Sequence, residues 1–471
     1  MKYTVLTLFI LLLAGSLIYY QERMLFCDAS HMTLRILNTG QLLIGEYRYG
    51  SFITHLVPFF GNKLHWSLPT IVLWYSLSFN LFYLAVCLLL LFVFRNPALG
   101  LLMAFYYTLF AGDTYFWTNN EIHQAIAWMF LLFGLVLHFR QRRYAFGWHV
   151  LLFLPLAFLS LFTHPLMLIV VPFLWTFFIT DACSNPYRSK EAVVLSMALM
   201  LIIVAKYRVI QYSGYDAPRA RHATHFSLAD IGTGIRSEMS LTFFRRLLTH
   251  YYFVPFLFFA GLYTAVKHRR YRKLAMVLAF SLAYYQAMAL TFKDFVPFYM
   301  ESEWMPFTLI GAALFVFETA PRMQPRNLLL LTIFILGTRL VYMGAAAEKF
   351  TARKEWLFGV LQKMKQQDLH KGYLYRDEAL KALLIADWAL PAESLLASAL
   401  KGDHPNLTFC VDTRENMNKR VTGNRKEIID SFGPLSGNEL NRFYFAIDTT
   451  SGYSLVLPAV EKETAGINKH P

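Results

Sequence analysis

The sequence predicts an all-α polytopic membrane protein with a small mixed α/β domain at its C-terminal end. Charged residues make up 16% of the 471 residues and apolar types 56%, whereas a soluble domain carries about 25% charged residues. Aromatic residues, at 17% of the chain, are typical of helices anchored at membrane interfaces. This composition excludes a disordered chain, a fibrous repeat and a disulfide-rich scaffold.

Apolar runs of a length suited to a bilayer recur through the first three quarters of the chain. They predict about eleven membrane helices, at 3–20, 69–94, 97–111, 121–139, 146–162, 165–180, 192–210, 250–266, 274–292, 304–319 and 327–344. The first run is longer than the apolar core of a signal peptide, which favours an uncleaved first helix.

One set of short loops is rich in Lys and Arg, whereas the alternate loops contain almost none. The basic loops include Arg140, Arg142 and Arg143, and Lys267–Lys273. Because Lys and Arg collect in cytoplasmic loops, the N-terminus is predicted inside and residues 345–471 outside a plasma (inner) membrane. The same bias accounts for the net charge of +14 without a nucleic-acid partner.

Residues 1–344 therefore form the predicted membrane domain, and residues 345–471 the predicted outer domain. The outer domain combines a helical stretch with short strand-like runs. These are Glu378–Leu400 for the helix and Leu407–Val411, Arg442–Ile447 and Tyr453–Leu457 for the strands. Two outer loops, 21–68 and 211–249, are too long to be simple connectors, and Ala29–Gly40 in the first is predicted to be an amphipathic helix at the outer interface.

Function is predicted at the outer ends of the helices, where polar residues interrupt the apolar sequence. Asp28 follows the first helix by about eight residues. It is either a cap of the amphipathic helix, with Asp28 or Ser30 at the N-cap, or a base that accepts a proton from an attacking group.

A second group of polar residues lies in the short outer loop before the run at 121–139. Asp113 and Glu121 provide carboxylates, and Asn120 and His123 provide hydrogen-bonding groups. They either cap the helix and complement its dipole or face the same cavity as Asp28. A divalent cation is a candidate cofactor here, although no third ligand has diagnostic spacing.

Further candidates come from three later outer segments. His164, in Thr163-His164-Pro165, is predicted to face a cavity or to bond locally, since a His facing lipid is costly. Four arginines either are solvated or bind a lipid phosphate, which guanidinium groups match well; these are Arg219, Arg221, Arg245 and Arg246. The acids Glu301 and Glu303 either cap a helix or orient an acceptor.

This layout resembles the GT-C-type membrane glycosyltransferases, including the protein mannosyltransferase and aminoarabinose transferase groups. The shared features are a first helix, a long outer loop with an early acid and an amphipathic helix, a second acidic position, a His-Pro pair and a C-terminal outer domain. Asp28, Asp113 or Glu121, and His164-Pro165 match these positions. Many members have two neighbouring acids in the first loop, where this chain has Cys27-Asp28.

The resemblance implies that a sugar moves from a polyprenyl-phosphate donor to a lipid, glycan or protein acceptor by one inverting displacement. Asp28, Asp113 and Glu121 would be catalytic, the four arginines would hold the donor phosphate, and Asn120, His123 and His164 would bind substrate. Two other classes stay open: a non-enzymatic assembly factor of the cell envelope, and a transporter of lipid or polysaccharide. A transporter would favour polar residues at mid-membrane and paired broken helices.

Overall fold

A computed structural model describes residues 1–139, 145–180, 187–224, 232, 234–291, 297–422, 427–430 and 433–457. The basic loop residues Arg140, Arg142 and Arg143 lie outside the described residues, as does the end of the predicted outer domain, 458–471.

Helices make up most of the chain up to residue 366. They are α1 (Lys2–Ile18), α2 (Tyr20–Met24), α3 (Cys27–Thr39), α4 (Phe52–Lys63), α5 (Leu68–Leu88), α6 (Pro97–Leu109), α7 (Glu121–Phe139), α8 (Phe146–Thr163), α9 (Met167–Ile179), α10 (Ser189–Ile210), α11 (Asp216–Thr224), α12 (Glu238–Thr249), α13 (Phe253–Lys267), α14 (Tyr271–Thr291), α15 (Pro297–Trp304), α16 (Phe307–Leu314) and α17 (Pro325–Gln366). Local sequence sets their ends: α6 begins at a proline, and the side chain of Asn96 before it accepts the N–H of Leu99 at 3.0 Å. Proline is favoured there because the first helical N–H has no partner in the helix.

Every predicted membrane segment coincides with a helix, but fewer helices have the length to cross a bilayer. Among the described residues six are long and apolar enough, and α12 with α13, bent by 83°, can count as a seventh. Three other predicted spans, α1, α6 and α9, are apolar helices of 10–17 residues. The structure thus contains six or seven candidate spans, and the count of about eleven and the orientation stay predictions.

The chain divides into two compact units. The first contains 1–23, 42–60 and 73–347, and the second contains 24–41, 61–72 and 348–471. The C-terminal boundary lies close to the one predicted at residue 344. Two parts of the loop 21–68, however, belong to the unit that contains the C-terminal segment.

The second unit contains a three-stranded parallel sheet in the order β2-β1-β5. Its strands are β1 (Lys371–Tyr375), β2 (Thr408–Asp412) and β5 (Ser454–Leu455), and a separate antiparallel pair joins β3 (Glu427–Ile428) to β4 (Leu435–Ser436). In the sheet, Lys371 pairs with Thr408 and Tyr375 with Asp412. Three further helices lie in its described C-terminal segment: α18 (Glu378–Leu384), α19 (Leu390–Leu400) and α20 (Arg414–Val421).

This mixed composition differs from the predicted elements at three points. The predicted helix 378–400 is broken into α18 and α19, because Ile385 adopts a φ of 62°, which does not continue a right-handed helix. The predicted strand 442–447 is wrong in the described residues, where Ile447 makes a single isolated bridge to Asn406. The described elements without a counterpart in the prediction are strands β1, β3 and β4 and helix α20.

Helix α3 matches the predicted amphipathic helix to within two residues at its start. Its apolar side chains Leu34, Ile36 and Leu37 are buried, and the helix packs against α19 in the same unit. Protein therefore covers these side chains, and the location of the helix at the membrane interface stays a prediction.

Candidate functional site

A buried arginine joins two acids in the first unit. Arg48 donates from Nη1 to Glu121 Oε2 at 2.8 Å and from Nη2 to Asp216 Oδ1 at 2.9 Å. Burial lowers the pKa of the Arg48 guanidinium, but the charges of Glu121 and Asp216 outweigh that effect and raise it overall. Arg48 therefore stays charged and ties the loop before α4 to the first residues of α7 and α11.

The start of α11 is set by a serine. Ser213 Oγ accepts the N–H of Asp216 at 2.8 Å and donates to Glu46 Oε2. Serine is favoured at helix starts because its oxygen satisfies an N–H that has no partner in the helix. This cap places Asp216, at the first position of α11, against Arg48.

Three charged atoms of this ion pair and of the neighbouring Lys206 are buried without a hydrogen-bond partner among the described residues. They are Nε of Arg48, Oδ2 of Asp216 and Nζ of Lys206. Lys206 is on α10 with a fully buried side chain, and its ammonium lies 5.4 Å from the centre of the Phe162 ring. Because buried polar atoms in native proteins are almost always bonded, two open donors and one open acceptor in one region indicate a place for a polar ligand.

Glu303 on α15 adds a carboxylate with no hydrogen bond to another described residue. Burial raises the pKa of this carboxyl to about 7. The charges of Arg219 and Arg48 oppose the rise, and the charge of Asp216 adds to it. Arg219 stacks over the ring of Tyr215 at 3.9 Å, which fixes its guanidinium group. A carboxyl that titrates near neutral pH is suited to general acid–base chemistry.

His164 completes the polar site, by which we mean Arg48, Glu121, His164, Lys206, Asp216, Arg219 and Glu303. Its Nδ1 accepts the N–H of Leu166 at 3.3 Å, so the proton of the neutral ring lies on Nε2. Burial, followed by the charges of Arg48 and Lys206, lowers the pKa of His164 well below its ordinary value. The imidazole is therefore a neutral hydrogen-bond donor beside three cations.

Asp113 lies in a loop held by a different acid, Glu301. The Glu301 carboxylate accepts the N–H groups of Gly112 and Thr114, both at 2.9 Å, and the hydroxyl of Tyr251 at 3.0 Å. Burial and the charge of Asp113 raise the pKa of Glu301, and these hydrogen bonds oppose the rise. Gly112 is required at this contact, since a Cβ there would lie 2.7 Å from the Tyr342 ring.

Asn120 and His123 make local contacts at the start of α7. Asn120 Oδ1 accepts the N–H of Ile122 at 3.2 Å, which is the capping role. His123 Nδ1 is 3.0 Å from the Tyr106 hydroxyl, and the ring lines a cavity of about 30 Å³. Such a volume suits about one water molecule. The bonds of Asn120 and His123 stabilise the start of α7. A contact of either side chain with substrate stays a prediction.

The other predicted phosphate ligands lie on two helices. Arg221 is exposed on α11, one turn from its start, whereas Arg245 and Arg246 occupy the last turns of α12, exposed and half-buried respectively. Of the four predicted arginines, Arg219 is the one whose charge acts on Glu303 and His164. Phosphate binding by Arg245 and Arg246 stays a prediction.

Asp28 belongs to the second unit and is half-buried in the first turn of α3. The capping interpretation is wrong in its detail, because the N-cap is Phe26, without a side-chain cap, and the Ser30 hydroxyl donates to the carbonyl of Cys27. The N–H of Cys27 is instead bound by Glu393 Oε1 at 2.7 Å. An acid in the first turn still complements the helix dipole, and a catalytic role for Asp28 stays a prediction.

Among the described residues, no three His, Cys, Asp or Glu side chains are grouped in a way that could hold a metal ion. The divalent cation therefore stays a prediction that no bound group tests.

Sequence reasoning missed Arg48, Lys206 and Asp216, and gave Glu303 a secondary place. Lys206 carried a usable signal, since a lysine within an apolar run marks a functional position by default. Arg48 and Asp216 carried none, because their pairing joins segments 168 residues apart in sequence.

Comparison of the chain with family models, with curated proteins and with solved structures finds no match.

Proposed function

We propose that the protein is a membrane glycosyltransferase that moves a sugar from a polyprenyl-phosphate donor to an acceptor hydroxyl. The observation that carries the proposal is the carboxyl of Glu303, which no described residue hydrogen-bonds and whose pKa of about 7 reflects burial opposed by the charge of Arg219. A base and a cation in one polar site are the two groups that this displacement needs.

In the proposed reaction, the acceptor hydroxyl gives its proton to the carboxylate of Glu303. Its oxygen bonds to the anomeric carbon as the bond from that carbon to the phosphate oxygen breaks. The electron pair leaves with the polyprenyl phosphate, so negative charge develops on a phosphate oxygen. Lys206 and Arg219 would neutralise that charge, and Nε2–H of His164 would donate to it.

Glu121 and Asp216 have a positioning role in this scheme. Both are bonded to Arg48, so neither is as available to a substrate proton as Glu303. The proposal therefore gives Glu303 the role of base that the sequence predicts for Asp28. Asp28 is the alternative base, and the transfer assay described next distinguishes between the two residues.

The test uses the full-length protein in lipid nanodiscs, with polyprenyl-phosphate hexoses labelled in the sugar and membranes of the source organism as the acceptor pool. We expect label transfer and release of polyprenyl phosphate, and a fall of about 10²–10⁴-fold for Glu303→Gln, the usual contribution of a positioned base. Glu348→Gln, the same change at an exposed glutamate, serves as the matched control and should transfer normally. No transfer from any polyprenyl-phosphate hexose by the wild-type protein would refute the proposed function.

A further inference from the structure

A cavity lined by tyrosines adjoins the polar site in the first unit. It has a volume of about 440 Å³, which lies within the range of about 300–1,000 Å³ typical of small-molecule sites. Its lining residues are Ile44, Glu46, Tyr47, Tyr49, Tyr212, Ser213 and Gly214.

The three tyrosines present open ring faces and unused hydroxyls. Tyr47 is 42% exposed, Tyr49 39% and Tyr212 79%, and no described residue is hydrogen bonded to any of their hydroxyls. Tyr49 is held in place by stacking on Phe158, with ring centres 5.8 Å apart. One fixed ring and two exposed rings form a surface on which a flat ligand can stack.

The backbone that carries this surface is strained. Glu46 and Tyr47 have φ values of 51° and 56°, and left-handed conformations at non-glycine residues tend to occur at functional sites because they cost free energy. The bond from Ser213 to Glu46 and the bonds of Arg48 hold the loop in this form. The strain therefore presents Glu46 and Tyr47 side by side at the cavity.

We propose that this cavity is the acceptor subsite and that it takes a neutral carbohydrate. This inference rests on the proposed function and adds the class of acceptor to it. The C–H faces of a sugar ring stack on tyrosine rings, while its hydroxyls bond to the Glu46 carboxylate, the Ser213 hydroxyl and the tyrosine hydroxyls. The carboxylate disfavours an anionic acceptor, and the charges of nearby Arg48 and Lys206 disfavour a cationic one.

The bonds between the cavity lining and the polar site support the assignment of the cavity as the acceptor subsite. Ser213 lines the cavity and also caps the helix that begins at Asp216, and Asp216 is bonded to Arg48 in the polar site. The charge of Glu46 acts on Lys206. The cavity is thus linked through Ser213 to Asp216 and Arg48, whose charges also act on Glu303.

The test is saturation-transfer NMR of maltose with the full-length protein in nanodiscs, with glucosamine as the cationic comparison. We expect transfer to the C–H protons of maltose and a weakening of binding by about 3–10-fold for Tyr47→Ala and for Tyr212→Ala, since one aromatic contact is worth about 0.5–1.5 kcal/mol. Tyr271→Ala, a matched exposed tyrosine outside the cavity, should bind maltose normally.

Three results would overturn the inference: equal binding by all the tyrosine variants, preference for glucosamine over maltose, or no maltose signal in the wild type. Glu303→Gln separates this inference from the proposed function, because it should bind maltose normally while losing transfer. Normal transfer by Glu303→Gln with tyrosine-dependent maltose binding would refute the assigned base alone. Loss of transfer in Glu303→Gln without tyrosine-dependent binding would refute the acceptor subsite alone.

Discussion

Each unit contains a buried arginine paired with acids, and the two arrangements differ in how completely their polar atoms are bonded. In the second unit, Arg353 donates to Glu393 at 2.5 Å and to three carbonyls, and the other oxygen of Glu393 binds the N–H of Cys27. In the first unit, Arg48, Asp216 and Lys206 each have a buried atom to which no described residue is hydrogen bonded. A saturated network maintains structure, whereas an unsaturated one is left open for a ligand, because leaving buried polar atoms unbonded is costly.

The largest effect should come from breaking the saturated network. We expect Arg353→Met to lower the free energy of unfolding by about 3–5 kcal/mol, since it leaves Glu393 buried without its partner. Thermal unfolding followed by near-UV circular dichroism measures this loss. Lys419→Met, which breaks an exposed pair with Glu415, is the matched control and should change little. An equally small change for Arg353→Met would remove the distinction between the two networks.

The same type of substitution should have the opposite effect on stability in the polar site. Lys206→Met removes a buried ammonium to which no described residue is hydrogen bonded, so we expect a higher melting temperature. Affinity for a polyprenyl phosphate should fall by about 10–150-fold, which corresponds to about 1.5–3 kcal/mol for one charge-assisted contact. Titration of the labelled lipid into nanodiscs measures the affinity. A lower melting temperature with unchanged lipid affinity would make Lys206 a structural residue.

A smaller, pH-dependent effect on stability is expected for Glu303→Gln. Burial raises the pKa of Glu303 in the folded state to about 7 from its ordinary value of 4.5. The stability that the protonated carboxyl provides is full below pH 4.5 and is lost as the pH rises through 7. The Glu303→Gln variant has no carboxyl at this position to ionise, so it avoids this loss. The melting temperature of the variant minus that of the wild type should therefore be larger at pH 8 than at pH 5. A difference that is the same at both pH values would contradict the raised pKa.

The smallest effect is expected for Asp28→Asn. Both side chains suit the first turn of α3, so stability should barely change, and with Glu303 as the base transfer should fall by less than about tenfold. The sequence-based assignment instead predicts a fall of about 10²–10⁴-fold. If Asp28→Asn loses transfer and Glu303→Gln keeps it, the base is Asp28, and the unsaturated network serves donor binding alone.

The sequence located the helices well because a long apolar run has few alternatives to a helix. It could not count the spans, since helices such as α6 and α9 are apolar but short, and their role depends on packing. It also placed α3 at the membrane surface, because an amphipathic pattern does not reveal whether lipid or protein covers the apolar face.

The sequence identified acids as candidate site residues, but it could not show which of them are bonded to other side chains. Glu301 and Glu303 are two residues apart on α15, and no sequence pattern distinguishes their roles. In the structure, the Glu301 carboxylate accepts four hydrogen bonds from Gly112, Thr114 and Tyr251, whereas no described residue is hydrogen bonded to the carboxylate of Glu303. This difference depends on which distant segments surround each side chain. The ion pair between Arg48 and Glu121 depends on distant segments in the same way.

The pH dependence of transfer is the decisive test of the proposal that Glu303 acts as a base in the unsaturated polar site. Activity of the wild-type protein should rise with pH along a single titration centred near 7, the pKa of Glu303. The residual activity of Glu303→Gln should lose that titration, and Glu121→Gln should keep it with a lower rate. A wild-type profile that is flat between pH 5.5 and 8.5, or one that survives unchanged in Glu303→Gln, would contradict the assignment.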